Sequence, residues 1–307
     1  MSVVWRARDL VLGSEVAIKV LTGVGRALPF AGIRAEACAV ARLAHPYVAK
    51  VYDYGEVLEP SRHPVPFVVM ELLPGVSLGQ LAAFGPMQPR LALRICAQVA
   101  EALAHAHSCG LVHRDVKPDN VMVTETTAKI FDFGISAAVG TAENGYPTRL
   151  VLGTVNYLAP ERIVGGLVTP ASDVYSLALM LYRLLTHDFP WHAVTYPEIM
   201  RAHVFAVPAG LPRLHGVTSE VSDLYWRCVA KVPAARPTAT EVADVLTAAL
   251  RRTSGQVVTG VDNGHRAAEP RPEVGSKQSP TLAYIRPRSL SREGQSLAAQ
   301  ATLETVA

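Results

Sequence analysis

The stretch H-R-D-V-K-P-D-N, which runs from His113 to Asn120, governs how the rest of the chain is interpreted. Within it, Asp115 is an acid placed to accept a hydroxyl proton, and Lys117 carries a charge that can neutralise a transferring phosphoryl group. Asn120 supplies an amide oxygen, and Asp132 follows twelve residues later in the triplet D-F-G. Such oxygens suit Mg²⁺, a hard cation that keeps waters and phosphate oxygens in its shell. These four side chains are the candidate catalytic and metal-binding residues.

The eight-residue match to H-R-D-x-K-x-x-N, with D-F-G at the expected distance, resembles the bacterial eukaryotic-like (Hanks-type) serine/threonine protein kinases. The resemblance implies an α+β fold of two lobes in a kinase domain over residues 1–252. A small β-rich N-lobe, truncated at its start, is expected over residues 1–73, and a larger helical C-lobe over residues 74–252. Residues 253–307 are rich in Gly, Pro, Ser, Thr and Gln, so a disordered tail is expected there.

A lysine upstream is the candidate for holding ATP. Glu15 to Leu21 is predicted to be a strand, and it contains the family's V-A-I-K motif, which ends at Lys19. In the family, this lysine holds the α- and β-phosphates once it pairs with a helix glutamate. Glu36 is the expected partner, because it is the only acid in the helix predicted from about Gly32 to Leu43. Taken alone, Lys19 reads as an ordinary edge lysine, and the catalytic loop downstream favours the phosphate-binding role.

The start of the chain departs from the family pattern. Kinases cover the ATP phosphates with a G-x-G-x-x-G-x-V hairpin, and counting back from Lys19 places Val4 at its valine. Ser2 then takes the third glycine position, and the first two positions fall before Met1. Glycine matters there because it lets backbone N–H groups approach the phosphates closely. Either the true start lies upstream, which we favour, or nucleotide binds under half of this lid.

The resemblance also assigns an adenine site. Met70, Glu71 and Leu73 match the gatekeeper and hinge that cradle adenine, and Met122 matches the residue beneath the ring. Val4 and Ala17 complete the set of expected nucleotide-binding residues, although Met70 taken alone is ordinary core filler.

Helical spacing marks the start of the second lobe. Pro74-Gly75 ends the strand pair predicted over Val48 to Glu56 and Pro66 to Leu72. Apolar residues then recur with a helical period from Gln88 to Ser108, and Gly110 is expected to end that helix. His105 and His107 on it are interpreted as solvated or packed side chains rather than ligands.

The segment from Asp132 to Glu161 matches the kinase activation segment. Gly153-Thr154 matches the turn that docks the substrate, and Thr154 together with Lys117 indicates serine or threonine acceptors. Thr148 is the first candidate for autophosphorylation and Thr141 the second, because Arg114 resembles the arginine that receives such a phosphate. Asp173 and Arg236 match scaffold residues. The first pins the catalytic loop, and the second pairs with Glu161.

Composition bears on the possible partners and location of the protein. A net charge of +3 is too small to indicate nucleic acid or a membrane surface as a partner. The four cysteines, Cys38, Cys96, Cys109 and Cys228, have neither metal-ligand spacing nor a disulfide ladder, and free thiols suit a cytoplasmic protein. No stretch approaches the roughly 20 apolar residues of a membrane span. The most apolar stretch, Val174 to Leu185, is expected to be a buried core helix.

Three functions are compatible with the sequence. The first is a serine/threonine protein kinase that uses ATP and Mg²⁺ and acts on protein substrates, with a homodimer as one route to autophosphorylation in trans. The second is a pseudokinase scaffold whose ATP binding is impaired by the missing glycine-rich loop. The third is a phosphotransferase acting on a small molecule, but such enzymes lack the Gly153-Thr154 turn and the A-P-E triplet that ends at Glu161. The complete set of charged catalytic residues favours the first.

Overall fold

A computed structural model of the chain describes residues 2–21, 30–58, 64–133, 155–254 and 304–305. Its N-terminal part is an antiparallel sheet with one long helix. The strands are ordered β3-β4-β2-β1, and a two-residue strand near the C-terminus, β8, pairs with the outer edge of β1. Their bounds are β1 Ser2–Arg8, β2 Glu15–Leu21, α1 Phe30–Ala41, β3 Val51–Leu58, β4 Pro64–Glu71 and β8 Glu304–Thr305.

The C-terminal part is helical and carries a small second sheet of order β5-β6-β7. With the N-terminal sheet it makes the α+β class that the resemblance implied. The elements are β5 Val76–Ser77, α2 Leu78–Ala82, α3 Pro89–Ser108, β6 Val121–Val123, β7 Ala128–Ile130, α4 Pro160–Ile163, α5 Pro170–Thr186, α6 Tyr196–Phe205, α7 Ser219–Cys228 and α8 Ala239–Ser254, with short 3₁₀ turns at Pro118–Asn120, Val155–Tyr157 and Pro233–Ala235.

The β1–β2 hairpin is built by its turn and its apolar strands. The Asp9 side chain accepts hydrogen bonds from the backbone N–H groups of Val11 and Leu12 at 2.8 and 3.1 Å. Gly13 closes the turn at φ 72°, a left-handed conformation that glycine adopts without a steric penalty. Strand β2 lies between β1 and β4 and is buried over most of its length, which explains its nearly continuous apolar sequence.

The passage between the two parts depends on Gly75. Its φ is 119°, and a Cβ atom there would lie 2.2 Å from the carbonyl oxygen of Val123. A side chain at this position therefore cannot be accommodated without moving the β6 backbone. Ser77 then caps α2 in a reciprocal capping box with Gln80, so the chain turns directly from the hinge into the helical part.

Helices α3 and α5 form the centre of the helical part. Helix α3 ends at Ser108, and Gly110 follows at φ 75°, as the sequence predicted. Helix α5 begins where the Thr169 N–H donates to the Ser172 hydroxyl at 3.4 Å. It is followed by His187 in the left-handed conformation and is buried along most of its length. The expected core helix, Val174 to Leu185, is confirmed within it. None of the helices in the described part of the chain is long and apolar enough to span a membrane.

Several predicted boundaries differ from the structure by a few residues. Helix α1 begins and ends two residues before its predicted bounds, and strand β3 begins at Val51, three residues after its predicted start. Val48 forms an isolated parallel bridge with Ile130 instead. The tail predicted from Thr253 lies mostly outside the described residues. Within them, α8 continues to Ser254, and Glu304–Thr305 is extended against Trp5 and Arg6 of β1.

Candidate functional site

Three of the predicted catalytic residues meet at one carboxylate oxygen. The Lys117 ammonium donates to Oδ2 of Asp115 at 2.7 Å, and the Asn120 amide donates to the same oxygen at 2.9 Å. The Asn120 amide also donates to the Asp115 backbone carbonyl at 2.8 Å, which closes the loop on itself. The loop therefore collects an acid, a cation and an amide within hydrogen-bonding distance of one another.

The loop carrying these residues is held by the side chain of Asp173 on α5. Its carboxylate accepts the backbone N–H groups of His113 at 2.8 Å and Arg114 at 2.9 Å. This contact is the predicted pinning of the catalytic loop, and it is confirmed. The sequence did not predict a third contact, in which His107 on α3 lies 2.9 Å from the same carboxylate. Sequence spacing gave no sign of this contact, since the two residues are 66 positions apart and meet only when α3 packs on α5.

His113 joins the catalytic loop to the segment that delivers Asp132. Its Nε2 lies 2.9 Å from the Phe131 carbonyl oxygen, and its Nδ1 accepts the Asp115 N–H at 3.2 Å. The imidazole is fully buried, and its ring centroid lies 4.6 Å from that of Phe133. These contacts define the Nε2–H tautomer and hold the two parts of the site at a fixed separation.

The ion pairs across the cleft differ from those expected. Lys19, which is 2% exposed, pairs with Asp132 at 2.6 Å. Glu36 pairs with Arg114, also at 2.6 Å, and not with Lys19 as the sequence predicted. The expected Lys19–Glu36 pair is therefore wrong for this conformation. Glu36 would have an oppositely charged partner in either pairing, with Lys19 or with Arg114. The position of α1 relative to the catalytic loop decides which pair forms.

Glu36 is poorly compensated in its new position. Burial raises its pKa, and the nearby Arg114 guanidinium only partly opposes that rise. Its second oxygen, Oε2, is buried and has no hydrogen-bond partner among the described residues. Glu36 thus retains one buried acceptor that no described residue uses.

The two predicted Mg²⁺ ligands, Asn120 and Asp132, are on segments that contact each other. The amide nitrogen of Asn120 is used by Asp115, so its carbonyl oxygen remains available to a cation. The Phe131 N–H donates to the Asn120 backbone carbonyl at 3.0 Å, which brings the residue before Asp132 against the loop. Asp132 itself has φ 66°, and the Lys19 ammonium lies 2.6 Å from its Oδ2. Two oxygen ligands of this type, with waters and phosphate completing the shell, match what Mg²⁺ requires.

The expected nucleotide-binding residues occupy two neighbouring sheets. Val4 lies opposite Lys19 between β1 and β2, and Ala17 lies opposite Met70 between β2 and β4. Leu73 follows β4, and Met122 is on β6, paired with Ser77 of β5 just after the hinge. Behind Met70 is a small pocket with a mainly apolar wall, into which Lys19 and Asp132 also face.

Glu71 has a second role that the sequence did not indicate. One of its carboxylate oxygens accepts the Lys129 ammonium at 2.6 Å, and the other accepts the Lys50 backbone N–H at 3.2 Å. Lys129 is on β7, the strand that leads to Asp132. The pair therefore joins the hinge directly to the strand that precedes Asp132, a predicted metal ligand.

The end of the activation segment is anchored by the predicted bridge between Arg236 and Glu161. Both terminal guanidinium nitrogens of Arg236 donate to the Glu161 carboxylate at 2.8 Å, and the Ser172 hydroxyl adds a hydrogen bond at 2.7 Å. Burial alone raises the pKa of Glu161, but the bonds from Arg236 and Ser172 outweigh burial and the pKa is lowered. This prediction is confirmed. Gly134, Thr141, Thr148, Gly153 and Thr154, to which the sequence assigned roles, lie outside the described residues.

Comparison with known proteins gives a consistent result. A family model described as the protein kinase domain matches residues 1–245. The serine/threonine-protein kinase PknB of Mycobacterium leprae is 38% identical over 238 residues, which cover 76% of this chain and 38% of that protein. PrkC of Bacillus subtilis is 35% identical over 243 residues, covering 76% and 36%. PknA of Mycobacterium tuberculosis is 39% identical over 240 residues, covering 77% and 55%. The chain therefore spans between about a third and just over half of the length of these relatives.

Proposed function

The chain belongs to the protein kinase family, and from that premise we propose that it transfers the γ-phosphate of ATP to serine and threonine hydroxyls of proteins. One observation carries the proposal. The ammonium of Lys117 and the amide of Asn120 both donate to the same oxygen of Asp115. An acid, a cation and a metal-ligating amide are thus grouped at one point, as a site for aligning phosphoryl transfer requires.

Each of these residues has a role in the proposed reaction. Asp115 orients the acceptor hydroxyl and receives its proton, while Lys117 neutralises charge on the group in transfer. Lys19 positions the α- and β-phosphates. Asn120 and Asp132 are the residues that would hold Mg²⁺, which when bound supplies charge neutralisation at the phosphate oxygens. Proteins are the proposed substrates, and the cytoplasm is the proposed location, because the four cysteines are free thiols.

The proposal extends to the activation segment of the chain itself. The Arg114 guanidinium bonds Glu36 at 2.6 Å, and a phosphate on Thr148 would compete for that guanidinium because it carries about −1.5 to −2 charge. Thr148 is the first proposed site and Thr141 the second, modified in trans by another copy. Phosphorylation would thereby release Glu36 toward Lys19.

The test is Mg²⁺-dependent transfer of radiolabelled phosphate from ATP to a generic basic protein. We expect Asp115→Asn to abolish transfer, whereas Asp223→Asn, the same change at an exposed position on α7, should leave it intact. Mass spectrometry of the reacted chains should find phosphate on Thr148 of the parent and not of Asp115→Asn. A parent chain that binds ATP but transfers no phosphate would overturn the proposal and support the pseudokinase alternative.

A further inference from the structure

Arg114 is held in an unusual backbone conformation by three different elements. Its φ is 70°, which is uncommon for a residue with a side chain and costs free energy unless the surroundings impose it. Its N–H donates to Asp173 of α5 at 2.9 Å, and its guanidinium donates to Glu36 of α1. Its carbonyl oxygen accepts a hydrogen bond from the guanidinium of Arg162 on α4. The next residue in the chain is Asp115.

Helix α4, which carries Arg162, is itself anchored to the scaffold. Glu161, the residue before Arg162, is fixed by two hydrogen bonds from Arg236 and one from Ser172. Its neighbour Pro160 is buried. Two consecutive residues of α4 therefore extend to different partners, Glu161 to the scaffold and Arg162 to the catalytic loop.

The environment of Arg162 is costly for a cation without a specific partner. Burial lowers its pKa, and the charges of Asp115 and Asp173 act in the opposite direction. A partly buried guanidinium is stabilised most when its N–H groups donate to an acceptor that is held in place. The Arg114 carbonyl is that acceptor, and none of the roles assigned to the catalytic residues uses Arg162.

We propose that Arg162 is a positioning residue for phosphoryl transfer, which holds the Arg114 backbone so that Asp115 points at the acceptor hydroxyl. This inference rests on the proposed kinase function. It links the anchored end of the activation segment to the catalytic acid through one side chain. Because small misplacements of a catalytic group can cost on the order of 10²-fold in rate, the effect should be on turnover.

The expected kinetic signature separates positioning from general stability. Arg162→Met keeps most of the side-chain volume and removes the donors, so kcat should fall roughly 10-fold or more. KM for ATP should change little, because Lys19 and Met70 are on strands that Arg162 does not contact. Arg162→Lys should recover part of kcat, since an ammonium can still donate to the carbonyl. Arg251→Met, the same change at an exposed position on α8, is the matched control and should resemble the parent.

Hydrogen exchange measured by mass spectrometry gives a second readout that needs no activity. In Arg162→Met, the amides of His113 to Asp115 should exchange faster, while those of α3 and α5 should not change. Reduced kcat at constant KM, recovery by Arg162→Lys and locally faster exchange together support the proposal. Unchanged kcat and unchanged exchange overturn it, and so does faster exchange throughout the helical part, which indicates a structural role.

The experiment also distinguishes this inference from the function on which it rests. A parent chain without transferase activity refutes the proposed function, and the exchange comparison then decides alone whether Arg162 holds the loop. If Arg162→Met does not fold, Arg162→Gln takes its place in the same comparison, because the amide is neutral, shorter and has fewer donors while keeping a polar end.

Discussion

Lys19 illustrates how a single buried charge is kept in the cleft. It is 2% exposed, and its ammonium is compensated by Asp132 at 2.6 Å. Lys19→Met should reduce phosphate transfer by roughly 10²–10³-fold or more, because positioning and charge stabilisation of the phosphates are lost together. Stability should change little, since the lost ion pair is offset by removal of a buried charge. Transfer assays and thermal melting would be run beside Lys50→Met, which alters an exposed lysine. Retention of half the activity by Lys19→Met would show that the nucleotide site is wrongly assigned.

Residues close together in the sequence were predictable, and their distant partners were not. Asp115, Lys117 and Asn120 fall within one eight-residue motif, so a single loop can bring them together. The partner of Lys19 depends instead on where α1 lies, and two acidic residues on different elements compete for it. Arg162 was missed for the same reason, because its acceptor is a backbone carbonyl that no sequence pattern marks.

At the scale of elements, the pair of Glu71 and Lys129 joins the hinge to β7. Both side chains are about one-fifth exposed, so the pair is less screened than a surface ion pair. Glu71→Lys and Lys129→Glu should each raise KM for ATP about fivefold, corresponding to about 1 kcal/mol, and the double exchange should restore it. Arg227 and Glu241, an exposed pair on α7 and α8, serve as the control exchange and should leave KM unchanged. If the double variant were no better than the worse single variant, the direct interaction between the two charges would be refuted.

Long elements were easier to predict than short ones. The helical period of α3 extends over many turns, and the structure places the start of this helix one residue from its predicted bound. Helix α4 has only four residues and β5 only two, so neither shows a detectable period. Both are stabilised by tertiary contacts, β5 by β6 and α4 by Arg236, and these contacts lie far away in the sequence.

At the scale of the whole molecule, a buried histidine should make folding sensitive to acid. His203 on α6 is fully buried, with Nδ1 3.0 Å from the Tyr175 hydroxyl and its ring 4.7 Å from that of Trp191. The Lys231 ammonium donates to the His203 carbonyl oxygen at 2.6 Å and places a cation nearby. Burial, and then the charge of Lys231, lower the pKa of His203 to about 3 from its ordinary value of 6.5.

His203 therefore binds a proton less readily in the folded protein than in the unfolded chain. Between pH 6.5 and about pH 3 the unfolded state binds more protons at this position, so stability falls as the pH is lowered through that window. The slope is about 1.4 kcal/mol per pH unit, which amounts to about 2 kcal/mol between pH 7 and pH 5. Urea unfolding at pH 5, 6 and 7 measures this, and His203→Gln should remove that part of the slope, while His192→Gln, at an exposed position, should retain it. Identical slopes for the parent and His203→Gln would mean that His203 binds a proton as readily in the folded protein as in the unfolded chain.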